Sequence, residues 1–345
     1  MSSVYDSITV DAMKANKILH LCIKSGTTAM MWGKPGVGKT SLAHQVAAED
    51  GNFDSVIVFN PSQDDVIDLK LPYVDNIQID EDNYAISRFA YSERLPRKGR
   101  HLIFVDEINT APMAMQATLY SLILEGRIGS YKLPPGCIRM AAGNRIEDKC
   151  AANDMSLALR DRLGVHMNVI ASEKAWVRWA TLNGVAPEVV AFVRQNPTAL
   201  EGINEDDPCA GCTPRSLEFL SNIVKQGIDE DIQHSVVSGV IGRGAGPEFI
   251  GFLDIFKNQI DIEQIIEKPD DAPIYKRTDL LYSVVSALGS KMNEDNIDNI
   301  FKYLERLNER RYMIMAANDA YNRDKAIMKN KRFNKFLTSN YQYFV

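Results

Sequence analysis

The sequence lacks the long apolar run that a membrane-spanning helix needs, roughly 18 residues. The opening residues, Met1 to Asp6, have neither the basic nor the apolar region of a signal peptide, and no lipidation motif is evident at either end. A cytoplasmic protein without membrane attachment is the expectation. Cysteine is sparse. The five residues are Cys22, Cys137, Cys150, Cys209 and Cys212. An odd, small number in a chain of this size predicts free thiols rather than a disulfide framework. Cys209 and Cys212 have metal-ligand or redox spacing, but no second pair and no His-x-x-x-His accompanies them, so the segment reads as a structural turn. A surplus of positive charge is also missing. Lys and Arg number 39 against 45 Asp and Glu, a net charge of −6. That argues against a protein whose main task is coating nucleic acid, although it leaves room for a local basic channel. Low-complexity segments and solenoid repeats are absent as well.

What is present is a globular composition, 45% hydrophobic and 24% charged over 345 residues. This is enough for two domains with real cores. A helix is predicted over Asp11 to Lys24, ended by Gly26. Four apolar runs read as buried strands: Ala29–Trp32, Ser55–Phe59, a run within His101–Val105, and Ile138–Ala142. Helical segments fall between them, at Thr40–Glu49, Gln63–Leu69 and Pro112–Glu125. Strands alternating with helices predict an α/β fold with a parallel sheet covered on both faces. Two hairpins interrupt the alternation, one within Ile77–Arg88 and one over Gly126–Gly136. After about Val169 helical periodicity takes over. The candidate helices there are Ser172–Asn183, Pro187–Arg194, Pro214–Gln226, Asp229–Val240, Pro247–Asn258, Thr278–Leu288 and Glu294–Asn318. The expected division is a core at 1–170, a helical lid at 171–262 and a helical extension at 263–345.

The chemistry is concentrated in the first part. Gly33-Lys34-Pro35-Gly36-Val37-Gly38-Lys39-Thr40 fits G-x-x-x-x-G-K-[ST], with a strand-like run before it and a helix-like run from Thr40 and Ser41 after it. Glycines let the backbone turn tightly enough to aim its N–H groups inward at phosphate oxygens, and the helix that follows adds positive potential. Lys39 reaches the outer phosphates, and Thr40 offers its hydroxyl to Mg²⁺. Asp106 and Glu107 follow Lys39 by 67 and 68 residues, at the end of the apolar run Leu102–Val105. In open α/β sheets ligands bind at that end of the strands. Asp106 is a candidate for holding Mg²⁺ through its water shell, and Glu107 for polarising an attacking water.

With these two motifs in place the chain resembles an AAA+ ATPase, and more narrowly the MoxR-like and dynein-related group. Asp106-Glu-Ile-Asn109-Thr-Ala-Pro112, Gln116-Ala-Thr-Leu119 and Leu124-Glu-Gly126-Arg127 carry the narrower likeness, which spans roughly Thr27 to Val224. The resemblance implies further parts. Asn144, after Arg139–Gly143, matches the sensor 1 position facing the γ-phosphate or the lytic water. Asp161-Arg162 matches the arginine-finger segment, with Arg162 as the finger and Arg160 as the alternative. Arg215, in Thr213-Pro214-Arg215, matches sensor 2. Asn60 falls where a polar residue restrains the Walker B glutamate, and Asn60-Pro61 is equally a turn. Both hairpins match family insertions. Trp176 and Trp179, three residues apart, read as helix core.

The implied function is an ATP-binding, ATP-hydrolysing protein that forms a homo-oligomeric ring, a hexamer, and remodels a protein partner. Such partners in the family often carry a von Willebrand A domain. Pro61-Ser-Gln-Asp-Asp65 is polar where ring translocases carry an aromatic pore loop, which favours remodelling by contact over threading. The alternative is a nucleic-acid motor or loader, suggested by Arg323, Lys325, Lys329, Lys331, Arg332 and Lys335 among Phe333, Phe336, Tyr341 and Tyr343. The phosphate-loop residues do not read the base, so ATP rather than GTP follows from the resemblance alone.

Overall fold

The computed structural model describes residues 8–61, 63–79, 82–145, 155, 157–203, 207, 209 and 211–344. Met1 to Asp6, Cys150, and Ser156 at the head of the finger segment lie outside these residues. The chain divides into two compact units, one ending at Ile170 and one beginning at Ala171.

The first unit runs β1 (Thr9–Asp11), α1 (Ala12–Ser25), β2 (Ala29–Trp32), α2 (Lys39–Asp50), β3 (Ser55–Phe59), α3 (Val66–Leu69), β4 (Lys70–Ile79) and β5 (Asp82–Tyr91). It continues with β6 (His101–Val105), α4 (Met113–Glu125), β7 (Arg127–Ile128), β8 (Tyr131–Lys132), β9 (Ile138–Gly143), α5 (Leu157–Asp161) and β10 (Val165–Ile170). Six of the strands form one sheet in the order β1-β10-β2-β9-β6-β3, every pair parallel. Side chains alternate between its faces. Met31, Phe104 and Met140 pack with Leu19 of α1 and with Leu42 and Val46 of α2. Met30, Ile103 and Val105 pack with Met115, Leu119 and Leu122 of α4. With apolar layers on both sides, β2 and β6 read as near-continuous apolar runs. The parallel sheet flanked by helices, with a P-loop, is the expected AAA+ fold.

Both hairpins are present. The first is longer than expected, pairing Lys70 with Tyr91 through to Ile79 with Asp82. The second pairs Arg127 with Lys132 and Ile128 with Tyr131. The Tyr91 hydroxyl lies 2.7 Å from Ser130 Oγ and accepts from Ser130 N at 2.9 Å, so the tip of the short hairpin is fastened to the base of the long one.

Two sheet strands were not legible. β1 has three residues, too few for a period. In β10, His166 and Asn168 interrupt the apolar pattern on one face; Trp32 Nε1 donates to His166 Nδ1 from β2, and Asn168 Nδ2 donates to Thr9 Oγ1 of β1. The helix expected over Gln63–Leu69 shrinks to Val66–Leu69. The Asn60 carbonyl takes the amides of Gln63 and Asp64 into a turn, and Asp65 then caps the short helix.

The second unit holds α6 (Glu173–Leu182), α7 (Pro187–Gln195), β11 (Gly202–Ile203), β12 (Gly211–Cys212), α8 (Pro214–Val224) and α9 (Glu230–Gln259). Then come α10 (Ile262–Glu267), α11 (Thr278–Lys291), α12 (Ile297–Arg306), α13 (Arg310–Arg323) and α14 (Lys331–Ser339). The two helices expected across 229–258 form one long element interrupted at Gly242, whose φ of 90° and ψ of 164° are not helical. The single helix expected over Glu294–Asn318 is two, because Asn308 takes a left-handed φ of 54° between α12 and α13. Asn tolerates that conformation better than most residues. Trp176 is buried in a core with Phe192, Phe249 and Leu217, and Trp179 packs against it. A second core gathers Leu288, Ile300, Phe301, Tyr312 and Phe333. The basic tail belongs to that core. Phe333 is fully buried, Phe336 meets the Phe301 ring at 5.2 Å, and Arg332 pairs with Glu305 at 2.8 Å.

A buried ion pair crosses this unit. Arg194 of α7 donates to both carboxylate oxygens of Asp319 of α13, at 2.7 and 2.6 Å, and to Ser286 Oγ of α11 at 2.7 Å. The two side chains are 5% and 6% exposed. Two charges so deeply buried add little net stability over apolar packing, but removing one strands the other. Arg194→Met is expected to destabilise this unit by about 3–5 kcal/mol. Adding Asp319→Leu to it restores most of the loss. Urea unfolding of the three proteins measures both, and a double variant no better than the single one contradicts the assignment.

Candidate functional site

The site begins where β2 ends. Gly33 follows Trp32 directly, and a Cβ on Gly33 would sit 2.5 Å from the Val169 carbonyl oxygen of β10. No other residue fits there without moving the strand. Gly38 caps α2 at φ 98°, a left-handed conformation, and brings no side chain to the helix N-terminus. The first amides of this 12-residue helix are therefore not engaged by a capping side chain, and they lie at its positive end.

Lys39 opens α2 and is only 7% exposed. Its Nζ donates to the Gly33 carbonyl at 2.6 Å, to the Lys34 carbonyl at 3.1 Å and to Asn144 Oδ1 at 2.9 Å. Thr40 Oγ1 donates to Asp106 Oδ2 at 2.5 Å. The loop, the end of β6 and the end of β9 thus meet. Glu107 sits beside Asp106, half-buried, with a left-handed φ of 51°. That conformation is unusual for a residue with a side chain, and such residues cluster at functional sites. The Thr110 hydroxyl donates to the Glu107 carbonyl at 2.7 Å, which steadies the turn.

Asn109 joins this arrangement, a role that its local sequence does not reveal. Asn109, 2% exposed, donates through Nδ2 to the Asn144 carbonyl at 2.7 Å. Its Oδ1 accepts from Asn144 N at 3.2 Å. The two bonds clamp the backbone of Asn144 and aim its side chain at Lys39. The amide side chain carries both the donor and the acceptor that this clamp needs. An Asn three residues after the strand-end acid was the available signal, but nothing local says what it grips.

The segment bearing Arg160 and Arg162 is held beside the start of β2. The Thr28 hydroxyl donates to the Arg162 carbonyl at 3.0 Å and accepts from Gly164 N at 2.8 Å. The Arg162 guanidinium stands 5.4 Å from the Tyr120 ring centroid, and Arg160 Nε donates to the Met155 carbonyl at 3.1 Å. Asn60 follows β3 and shapes the turn described above; its backbone N–H donates to Asp64 Oδ2 at 3.1 Å. Arg215 lies in the second unit, exposed, in the first turn of α8, where Thr213 and Ser216 form a capping box.

Cys209 and Cys212 are both free thiols, as are Cys22 and Cys137. Cys209 Sγ donates to Asp207 Oδ1 at 2.9 Å, and burial pushes the Cys212 thiol up to about 12. Both facts hold the sulfurs protonated, against metal ligation or thiolate chemistry near neutral pH. Among the described residues no group of three or more His, Cys, Asp or Glu could hold a metal ion, and no helix is long and apolar enough to cross a membrane.

The geometry defines a P-loop nucleotide-binding fold. Residues 29–169 match the model of the ATPase family associated with various cellular activities. No curated protein matches the chain. Among solved structures, a point mutant of RuvB from Thermotoga maritima is 18% identical with a TM-score of 0.41, over 86% of this chain and 88% of that one. NtrX from Brucella abortus, in complex with ADP, is 13% identical with a TM-score of 0.40, over 95% of this chain and 68% of that one.

Asn109→Ala leaves the buried amide and carbonyl of Asn144 without their partners. The expected loss is about 1–3 kcal/mol of stability. Chemical denaturation checks it, and a change within error would mean the clamp carries no energy.

Proposed function

We propose that the chain binds and hydrolyses ATP as a ring-forming AAA+ protein of MoxR-like type, and that turnover remodels or activates a protein partner. The observation that carries this is the pairing of Lys39 with Asn144 and of Thr40 with Asp106, the residue before Glu107, at the mouth of the loop. Residues Gly33 to Ser41 form the phosphate cradle, and Lys39 neutralises the outer phosphates. The Thr40 hydroxyl and Asp106 carboxylate are hard oxygen donors already in contact, which fits Mg²⁺. When bound, that ion offsets phosphate charge.

Glu107 orients and polarises the attacking water, and Asn144 hydrogen-bonds the γ-phosphate or that water. Arg162 reaches a neighbouring subunit's site, where its planar charge matches the spread charge of the transition state. Arg215 in the lid, 171–262, senses the γ-phosphate, and the extension, 263–345, completes the helical part. AAA+ proteins generally assemble as rings; a hexamer, a cytoplasmic location and a client bearing a von Willebrand A domain follow from the resemblance. A nucleic-acid motor is the second reading. It is weakened by the packing of Phe333 and Phe336 in the helical core, which removes two of the aromatics that would grip a strand.

Lys39→Ala is expected to abolish nucleotide binding. Glu107→Gln should bind ATP without hydrolysing it. Arg162→Ala lowers kcat by about a thousandfold or more. Mixed rings of Lys39→Ala and Arg162→Ala subunits recover turnover, because one supplies the finger and the other the site. Calorimetry and phosphate release read these outcomes; absence of binding by the unaltered protein would end the proposal, and absence of recovery at every mixing ratio would end the finger assignment.

A further inference from the structure

His166 has two directed hydrogen bonds. Trp32 Nε1–H donates to its Nδ1 at 3.1 Å, and its Nε2 lies 3.0 Å from the Arg160 carbonyl oxygen. Because Nδ1 accepts from the indole, the ring proton sits on Nε2 and is donated to Arg160. The two rings lie nearly parallel, 14° apart, with centroids separated by 6.2 Å. His166 pairs with Met30 in the sheet and Trp32 with Asn168, so the two side chains are diagonal neighbours on one face. Trp32 is the last residue of β2, and the next residue is Gly33 of the phosphate loop. Arg160 is in α5, two residues from Arg162.

The contacts therefore form a continuous path. The strand that ends in the phosphate loop holds an indole, the indole holds an imidazole, and the imidazole holds the carbonyl of the segment that carries Arg162. Thr28, just before the same strand, holds the other side of that segment through Arg162 O and Gly164 N. A polar bridge of this kind is costly in a sheet unless it does something that apolar packing cannot. Its two bonds have fixed direction, and an apolar pair of the same volume would leave α5 free to slide. Five residues of helix cannot hold their own position by propensity.

We propose that His166 is a positioning residue for the arginine finger. Anchored on Trp32, it fixes the backbone at Arg160 and so sets where Arg162 points in the next subunit's site. The inference rests on the trans-finger reading above. It has a directional consequence: His166 matters in the subunit that donates the finger and not in the one that hydrolyses.

The mixed ring separates these cases. Turnover there comes from the Arg162→Ala subunit's site, completed by the Lys39→Ala subunit's finger. His166→Phe keeps an aromatic ring beside Trp32 but loses both hydrogen bonds. Placed in the Lys39→Ala subunit, it is expected to lower recovered kcat by about tenfold or more, with the KM for ATP unchanged. Placed in the Arg162→Ala subunit, it leaves turnover within about twofold, since that subunit's finger is already absent. His166→Gln in the finger donor restores part of the rate, because its amide N–H can take over donation to Arg160. If His166→Phe subunits do not assemble, as read by mass measurement, Trp32→Phe in the Lys39→Ala subunit gives the same test. It removes the anchoring N–H while keeping an aromatic ring at the position, and that subunit's own phosphate loop is already dead. Equal losses from both subunits, or no loss from either, overturn the proposal. Failure of the mixed ring to turn over before any change at His166 removes the finger itself, and the inference falls with it by a different result.

Discussion

A buried ammonium group organises the first unit. Lys39 is 7% exposed and lies against two loop carbonyls and one side-chain amide. A charge withdrawn from water requires such partners, and each partner in turn needs support. The carbonyls converge because Gly33 lets the loop pass within reach of Val169. The amide is available because Asn109 grips the backbone of Asn144 on both sides. The four central strands, β10, β2, β9 and β6, thus contribute to one small volume at their carboxyl ends, where an open parallel sheet leaves its crevice.

The strand β2 serves two sites at once. Its end leads into the phosphate loop, while Thr28 and Trp32 hold the segment bearing Arg160 and Arg162. On the proposed reading, the loop serves the subunit's own nucleotide and Arg162 serves the neighbour's. A single strand is a stiff element, so displacement at one end is felt at the other. On that reading, the strand is a physical route that couples assembly to turnover through contacts within one chain.

The second unit solves a different problem. It contains two apolar cores, one centred on Phe192 and Phe249 and the other on Phe301 and Tyr312. Arg194 and Asp319 tie helices from both together through two short charge-assisted bonds. The pair fixes orientation rather than adding much stability, because desolvation offsets most of the attraction. Net charge and composition gave no hint of it, since the partners stand 125 residues apart.

Sequence alone determined the elements whose signal is local. The phosphate loop is a spacing of glycines and a lysine, the acid pair ends an unbroken apolar run, and the helix boundaries at Asp11, Gly26 and Thr213 follow capping chemistry. These are legible because neighbours in the chain decide them. The expected helix over Glu294–Asn318 failed where Asn308 adopted a left-handed turn that its neighbours do not demand. Strand β10 is not legible because His166 and Asn168 look polar in sequence, and their partners Trp32 and Thr9 lie on strands far away in the chain. Asn109 was unread for the same reason, its partner lying 35 residues away. Tertiary structure decided these points, since a buried hydrogen bond between distant residues leaves no period and no spacing behind.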